Sequence, residues 1–237
     1  MSSRLPPVPT PVWTELYERE LVSRAAAGEG AAFEELMRRD NQLLFRTAYS
    51  ILKSEADAED ALQEAYLRAW RALGSFRAES RLSTWLVRIV TNEALGRLRR
   101  SRVQVIPLEA ALISSDPATQ SALTSAPDQD PEPSALRGQE RKLMETRIDL
   151  LPDVYRTVFM LRAVEEMSVA EVAQALEIPE ATVRTRYFRA RNLLREGFTG
   201  QTETALSEVF AFAGARCDRL VVTVLDRARA EGLCTSE

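Results

Sequence analysis

The 237-residue chain predicts an all-α protein with two helical domains joined by a flexible linker, followed by a helical C-terminal extension. Three observations carry this. Apolar residues recur at helical spacing from about Thr14 to Arg102 and again from about Gln139 to Gly197, with no convincing strand-like alternation. Between them, residues 103–138 hold five prolines (107, 117, 127, 131, 133), several serines and the acids Glu109, Asp116, Asp128, Asp130 and Glu132, a composition with little to bury. Ser168 and Glu171 form an S-x-x-E capping box that opens a helix-turn-helix.

Residues 1–13 begin proline-rich and are expected to be a disordered tail. The first domain spans 14–102. Its first helix covers Leu16–Ala27 and is ended by Gly28 and Gly30. A second carries Phe33, Leu36, Met37, Leu43, Leu44 and Ile51 as one stripe. The third, Asp57–Leu73, turns Ala61, Leu62, Ala65, Tyr66, Ala69 and Trp70 inward and shows Asp57, Asp60, Gln63, Glu64 and Arg68 on the other face. Asp57 and Asp60 suit the positive end of the helix dipole, and Glu64 with Arg68 is spaced as an i, i+4 pair. This acidic face is either plainly solvated or the counterpart of a basic protein surface; its charge is wrong for DNA.

The fourth helix, Ser83 to about Arg102, is the electrostatic reverse. From Gly74 to Arg102 there are seven arginines against Glu79 and Glu93, a local charge of 7 − 2 = +5. Leu82, Leu86, Ile89 and Val90 form its buried side, while Arg81, Thr84, Arg88, Asn92 and Arg99 project elsewhere, with Trp85 at the margin. Ahead of it runs a polar loop with Phe76 and Arg77. Cations interleaved with aromatics suit single-stranded nucleic acid, arginine tracking phosphates and rings receiving unstacked bases. Trp85 taken on its own reads as core.

After the 103–138 linker, the second domain covers 139–197. Val169, Val172, Ala173 and Leu176 give its capped helix one apolar face, and Glu177-Ile178-Pro179 breaks it, because a residue before proline is pushed out of the helical region. In the next helix Val183, Tyr187, Ala190 and Leu194 should pack inward. The segment Ala181–Arg195 holds five arginines and no acid, with Phe188 off the packing face. Arginines there can hold phosphates or guanine edges and Phe188 can meet a thymine methyl, unless it folds back on its own domain. The last segment, 198–237, should contain a short helix, then Gly214, then a stripe of Leu220, Val221, Val224, Leu225 and Ala228. Packing within the chain is favoured for that stripe, on either domain, with another protein as the alternative.

These pieces in this order resemble a bacterial RNA polymerase sigma factor of the extracytoplasmic-function (ECF) class of the sigma-70 family. DAEDALQEAYLRAW (57–70) resembles the part of sigma domain 2 that grips the β′ clamp helices. FRAESRLSTWLVRIVTNEALGRLRR (76–100) resembles the melting and −10 recognition region, and LPDVYRTVFMLRAVEEMSVAEVAQALEIPEATVRTRYFRAR (151–191) resembles domain 4, which reads the −35 element. The likeness covers roughly 18–100 and 139–197.

The resemblance implies that Asp57, Asp60, Gln63 and Glu64 contact core polymerase. It implies that Phe76, Arg77, Ser80, Thr84, Trp85, Arg88 and Asn92 capture flipped bases of the opened −10 strand. Arg184, Thr185, Phe188 and Arg189 would meet the −35 duplex. The implied partners are core RNA polymerase (β′ clamp helices and β flap), promoter DNA as duplex and single strand, and an anti-sigma factor, by which sigma factors of this class are often held. Capture of an unstacked base would offset the roughly few kcal/mol of unstacking it. The long proline-rich linker and the C-terminal extension depart from the minimal family pattern.

Bulk properties narrow the function classes. A net charge of −4 is not that of a protein that coats nucleic acid, so DNA affinity must come from local patches. The absence of histidine excludes imidazole catalysis and His-ligated metals. Cys217 and Cys234 alone cannot close a four-ligand zinc site, and Cys217 has no evident activating neighbour beyond Arg216 and Arg219. No cofactor, metal, phosphate loop or nucleophile motif is expected, nor a signal peptide or membrane insertion; a cytoplasmic, non-enzymatic protein is expected. A conventional helix-turn-helix regulator would leave 57–70 and 77–102 unexplained. A protein that occupies polymerase without reading promoters is the other alternative.

Overall fold

The computed structural model describes residues 12–104, 133–195 and 208–234, and all regular structure among them is helical. Helix α1 (Val12–Ala26) ends at Gly28, whose φ of 93° is open to glycine without a Cβ penalty. Gly30, expected as part of that stop, is instead the first residue of α2 (Gly30–Leu52). Helix α3 (Glu55–Ala72) is capped by Ser54, whose hydroxyl accepts from the Asp57 N–H, and continues into a 3-10 turn at Leu73–Ser75. Helix α4 spans Leu82–Gln104.

In the second half, α5 (Pro133–Leu150) begins inside the expected linker. A proline in the first helical turn gives up only an N–H that has no intrahelical partner, so Pro133 opens a helix as readily as it marks a loop. Helix α6 (Asp153–Phe159) widens into a π-helical turn over Met160–Val164, where the Glu165 N–H reaches the Met160 carbonyl at 3.0 Å. Helices α7 (Val169–Leu176) and α8 (Glu180–Arg195) form the helix-turn-helix, and α9 (Ala215–Ala230) starts after Gly214 at φ 61°. The expected tail, apart from its last two residues in α1, and linker residues 105–132 lie outside the described residues, as does most of the short helix expected before Gly214.

The two halves share one apolar cluster. Phe33, Leu44, Tyr66, Leu67 and Trp70 of the first half are continuous with Val158, Leu161, Val172 and Val183 of the second. Phe33 stacks on Trp70 at 4.1 Å between ring centroids, and the Trp70 indole N–H donates to the Ala25 carbonyl at 3.0 Å, tying α1 to α3. A smaller cluster around Met144, Ile148, Phe159, Met160 and Leu194 organises α5, α6 and α8.

Polar contacts fix the halves in register. The last four carbonyls of α2 have no partner within that helix, and Arg156, fully buried, donates from Nε to one of them, Ser50, at 2.6 Å. Its other nitrogens bond the Leu151 carbonyl at 2.9 Å and Asp153 Oδ1 at 2.6 Å. Arg46 pairs with Glu165 at 2.7 Å, both largely buried, and the Tyr49 hydroxyl donates to Asp149 Oδ2 at 3.0 Å. The halves therefore form a compact pair.

Removing Arg156 strands several buried carbonyls together. Arg156→Ala is expected to lower unfolding stability by about 3 kcal/mol, read as the fall in urea midpoint at unchanged m-value. A loss under about 1 kcal/mol would show that other groups take over these bonds.

Candidate polymerase and promoter interfaces

The acidic face of α3 is divided. Asp57 and Asp60 are exposed, with Asp60 Oδ2 3.6 Å from Arg97 of α4. Gln63 and Glu64 are half-buried. The expected Glu64–Arg68 pair is not the one formed. Arg68 reaches the buried carboxylate of Glu93 on α4 at 2.9 Å, and Glu64 accepts from Arg227 of α9 at 2.5 Å. Helical spacing makes a pair available, but a nearly buried carboxylate such as Glu93 has more to gain from a cation than an exposed one. Glu93 accordingly gathers Arg68, Arg97 and Arg100.

Six of the seven residues assigned to the −10 strand line one cavity between α4, the 75–81 loop and α7: Phe76, Arg77, Ser80, Thr84, Trp85 and Arg88. Asn92 is exposed further along α4. The Phe76 and Trp85 rings lie 5.3 Å apart at 48°, half-buried, packed against the core and lining the cavity. Thr84 corrects the expectation that it projects: it is 1% exposed, at the cavity that Gln174 of α7 also lines. Helical phase assigned it to an open face that tertiary packing closes. Gln174 of α7 completes the lining, a residue no local pattern singles out. A larger cavity adjoins, of about 500 Å³, where Arg19 and Ser23 of α1 face Phe76 and Ser80.

Helix α7 also answers the charge of this face. Glu171 lies 3.3 Å from Arg81, and Glu177, in the left-handed turn after α7, pairs with Arg88. Glu171 completes the capping box, accepting from the Ser168 N–H at 2.7 Å while its own N–H donates to the Ser168 hydroxyl at 3.2 Å. Burial opposes its ionisation, but the Ser168 bonds with Arg81 and Arg162 nearby outweigh that and hold its carboxyl below the usual range.

The outer face of α8 is open. Val183, Ala190 and Leu194 are buried against the domain, and Tyr187 is half-buried. Arg184, Thr185, Phe188 and Arg189 are all exposed. Phe188 is 63% exposed and so does not fold back. Arg184 pairs with Glu180 at 2.5 Å and Arg189 donates to the Tyr155 hydroxyl at 3.1 Å.

Two family models match the chain in this order: Sigma-70 region 2 over residues 36–103 and Sigma-70 region 4 over 141–194. The ECF RNA polymerase sigma factor SigW of Bacillus subtilis is 30% identical over 182 residues, covering 77% of this chain and 97% of SigW. The chain belongs to the ECF RNA polymerase sigma factors. SigM of Mycobacterium tuberculosis is 35% identical over 178 residues, covering 75% of this chain and 82% of SigM. Among solved structures, CnrH in complex with the cytosolic domain of CnrY aligns at a TM-score of 0.52 and 25% identity, covering 76% of this chain and 96% of that one. Both family models end before α9, which is an addition to the family's two regions.

The α7 contact with α4 rests partly on exposed ion pairs, each worth about 0–1 kcal/mol. Glu177→Lys sets a cation against Arg88 and is expected to increase hydroxyl-radical labelling of Trp85 about twofold or more in low salt, the gain shrinking as salt screens the repulsion. Unchanged labelling would assign the contact to apolar packing alone.

Proposed function

We propose that this sigma factor divides its work among three surfaces and performs no bond chemistry. The acidic face of residues 14–102, through Asp57, Asp60, Gln63 and Glu64, binds core RNA polymerase. The face carrying Phe76, Arg77, Ser80, Thr84, Trp85, Arg88 and Asn92 receives bases of the −10 strand as it opens. The helix-turn-helix of 139–197 reads the −35 duplex through Arg184, Thr185, Phe188 and Arg189, with 103–138 as the link. The factor acts in the cytoplasm, and an anti-sigma factor is a further proposed partner. Among the described residues no helix is long and apolar enough to cross a membrane.

The observation that carries the reading is the cavity that gathers Phe76, Trp85, Arg77 and Arg88 at the start of α4. Two aromatic rings beside two guanidinia can stack an unpaired base and neutralise its phosphates, a combination duplex binding does not need. Base capture then favours the open promoter, and strand separation follows from binding energy alone. On α8, an exposed phenyl ring flanked by arginines matches major-groove recognition, in which guanidinium forks read guanine and apolar groups meet thymine methyls.

The decisive experiment combines the purified chain with core RNA polymerase on genomic fragments. Discrete transcript starts that require both components are expected; footprinting without initiation would overturn the reading. Within it, Arg189→Ala is expected to weaken −35 duplex binding by about 1–3 kcal/mol and to leave core affinity unchanged. The pair Asp57→Ala and Asp60→Ala is expected to weaken core binding about tenfold with −35 binding unchanged. A loss of core binding in Arg189→Ala would remove the division of labour.

A further inference from the structure

The C-terminal addition covers one edge of the surface assigned to polymerase, engaging Glu64 and the neighbouring Glu55 and Glu59 while Asp57 and Asp60 stay exposed. Helix α9 lies in the groove between α2 and α3, and Leu220, Val221, Val224, Leu225 and Ala228 are buried there. Its contacts advance in order along both walls. On α3, Arg216 pairs with Glu59 at 2.7 Å, Arg227 with Glu64 at 2.5 Å, and Glu231 with Arg71, so α9 runs parallel to α3. On α2, Asp218 pairs with Arg38 at 2.7 Å and Leu225 lies near Gly30, so it runs antiparallel to α2. The cations that α9 turns inward meet Glu55, Glu59 and Glu64, the charge pattern a basic partner would seek on this face.

The segment just before α9 fastens it. Phe212 stacks on Phe45 at 4.4 Å, and the Arg216 guanidinium lies 4.9 Å from the Phe45 ring and 5.1 Å from Phe212. Gln42 of α2 donates to the Phe210 carbonyl at 2.9 Å and accepts from the Phe212 N–H at 2.7 Å, while Arg46 donates to the Val209 carbonyl at 2.8 Å. Val209 itself is buried in the apolar cluster of the second half. Residues 208–234 thus pin the two halves together while filling the α2–α3 groove.

We infer that residues 208–234 are a tethered competitor of core RNA polymerase: α9 stands in for the polymerase's basic surface in the α2–α3 groove and must leave before the sigma factor can engage. This rests on the reading of the α3 acidic face as the polymerase contact. In the closed chain the groove is filled and α7 lies against the −10 face, whereas the outer face of α8 stays open. Intramolecular tethering gives α9 a high effective concentration, so modest contacts suffice to hold it against a dissolved competitor. Apparent affinity for core is then the affinity of the open chain reduced by the fraction that is open.

The test uses the full chain with Arg216→Glu and Arg227→Glu, which turn the attractions with Glu55, Glu59 and Glu64 into repulsions and alter no residue assigned to polymerase. Amide hydrogen exchange over 215–230 reports release, and a fluorescence titration reports core affinity. Faster exchange with core binding tightened about tenfold or more is expected, corresponding to a parent chain open about one time in ten or less. Faster exchange with unchanged or weaker core affinity overturns the inference. A second full-length variant, Leu220→Asp with Val224→Asp, expels α9 by burying charge rather than by repulsion and is read the same way. Protection that persists in both variants also overturns it, because a competitor must be displaceable. The Asp57→Ala and Asp60→Ala pair separates the two claims, since neither residue pairs with α9. If that pair loses core binding while α9 release has no effect, the acidic-face reading stands and the tethered competitor falls. If neither change alters core binding, the acidic-face reading itself falls.

Discussion

Arg156 brings a positive charge to the C-terminal end of α2, where the helix dipole is negative and the Ser50 carbonyl lacks an intrahelical partner. A buried guanidinium is tolerable only when its donors are engaged, and Ser50, Leu151 and Asp153 each take one. Because those acceptors belong to both halves of the chain, satisfying the charge fixes their relative placement. From that junction the rest follows: α6 is held on α2, the π turn carries the chain around to α7, and α7 comes down on α4. Tyr49–Asp149, beside Ser50, and Arg46–Glu165, one helical turn back along α2, extend the same seam.

The chain's two charge patterns are answered internally. Arg81 and Arg88 of the basic α4 side meet Glu171 and Glu177; Glu59 and Glu64 of α3 meet Arg216 and Arg227. Arg88–Glu177 is exposed on both sides and contributes little, whereas the other three pairs each have a part-buried member. The apolar seat of α9 is different, since exposing Leu220, Val221 and Val224 to water carries a real hydrophobic cost. Charge sets which surfaces meet, and burial sets how firmly.

Locally encoded features were legible in the sequence. The Ser168–Glu171 box, the break at Glu177–Pro179, the inward set of α8 and the buried stripe of α9 all depend on residues within a few positions of one another. Thr84 and Glu64 were misread for a common reason. Helical phase says which residues share a face but not which element covers it, and the partner of Glu64 lies 163 positions away. Arg156 left no local signal, because an arginine near a helix start looks solvated until the seam that buries it exists. Gln174 was likewise invisible, since it acquires a place beside the candidate −10 cavity only when α7 docks.

Val209 and Phe212 are three positions apart, yet one is buried in the core of the second half and the other in that of the first. So short a tether cannot let one anchor go while the other stays in a separated half. Parting the halves must draw Phe212 off Phe45 or Val209 out of its cluster, and releasing the 209–212 segment that leads into α9 removes its bonds to Gln42 and Arg46. The two events share free energy, so whatever promotes one promotes the other to the same degree. The seam between the halves and the seat of α9 thus form one energetic unit, and a substitution in either is felt in both.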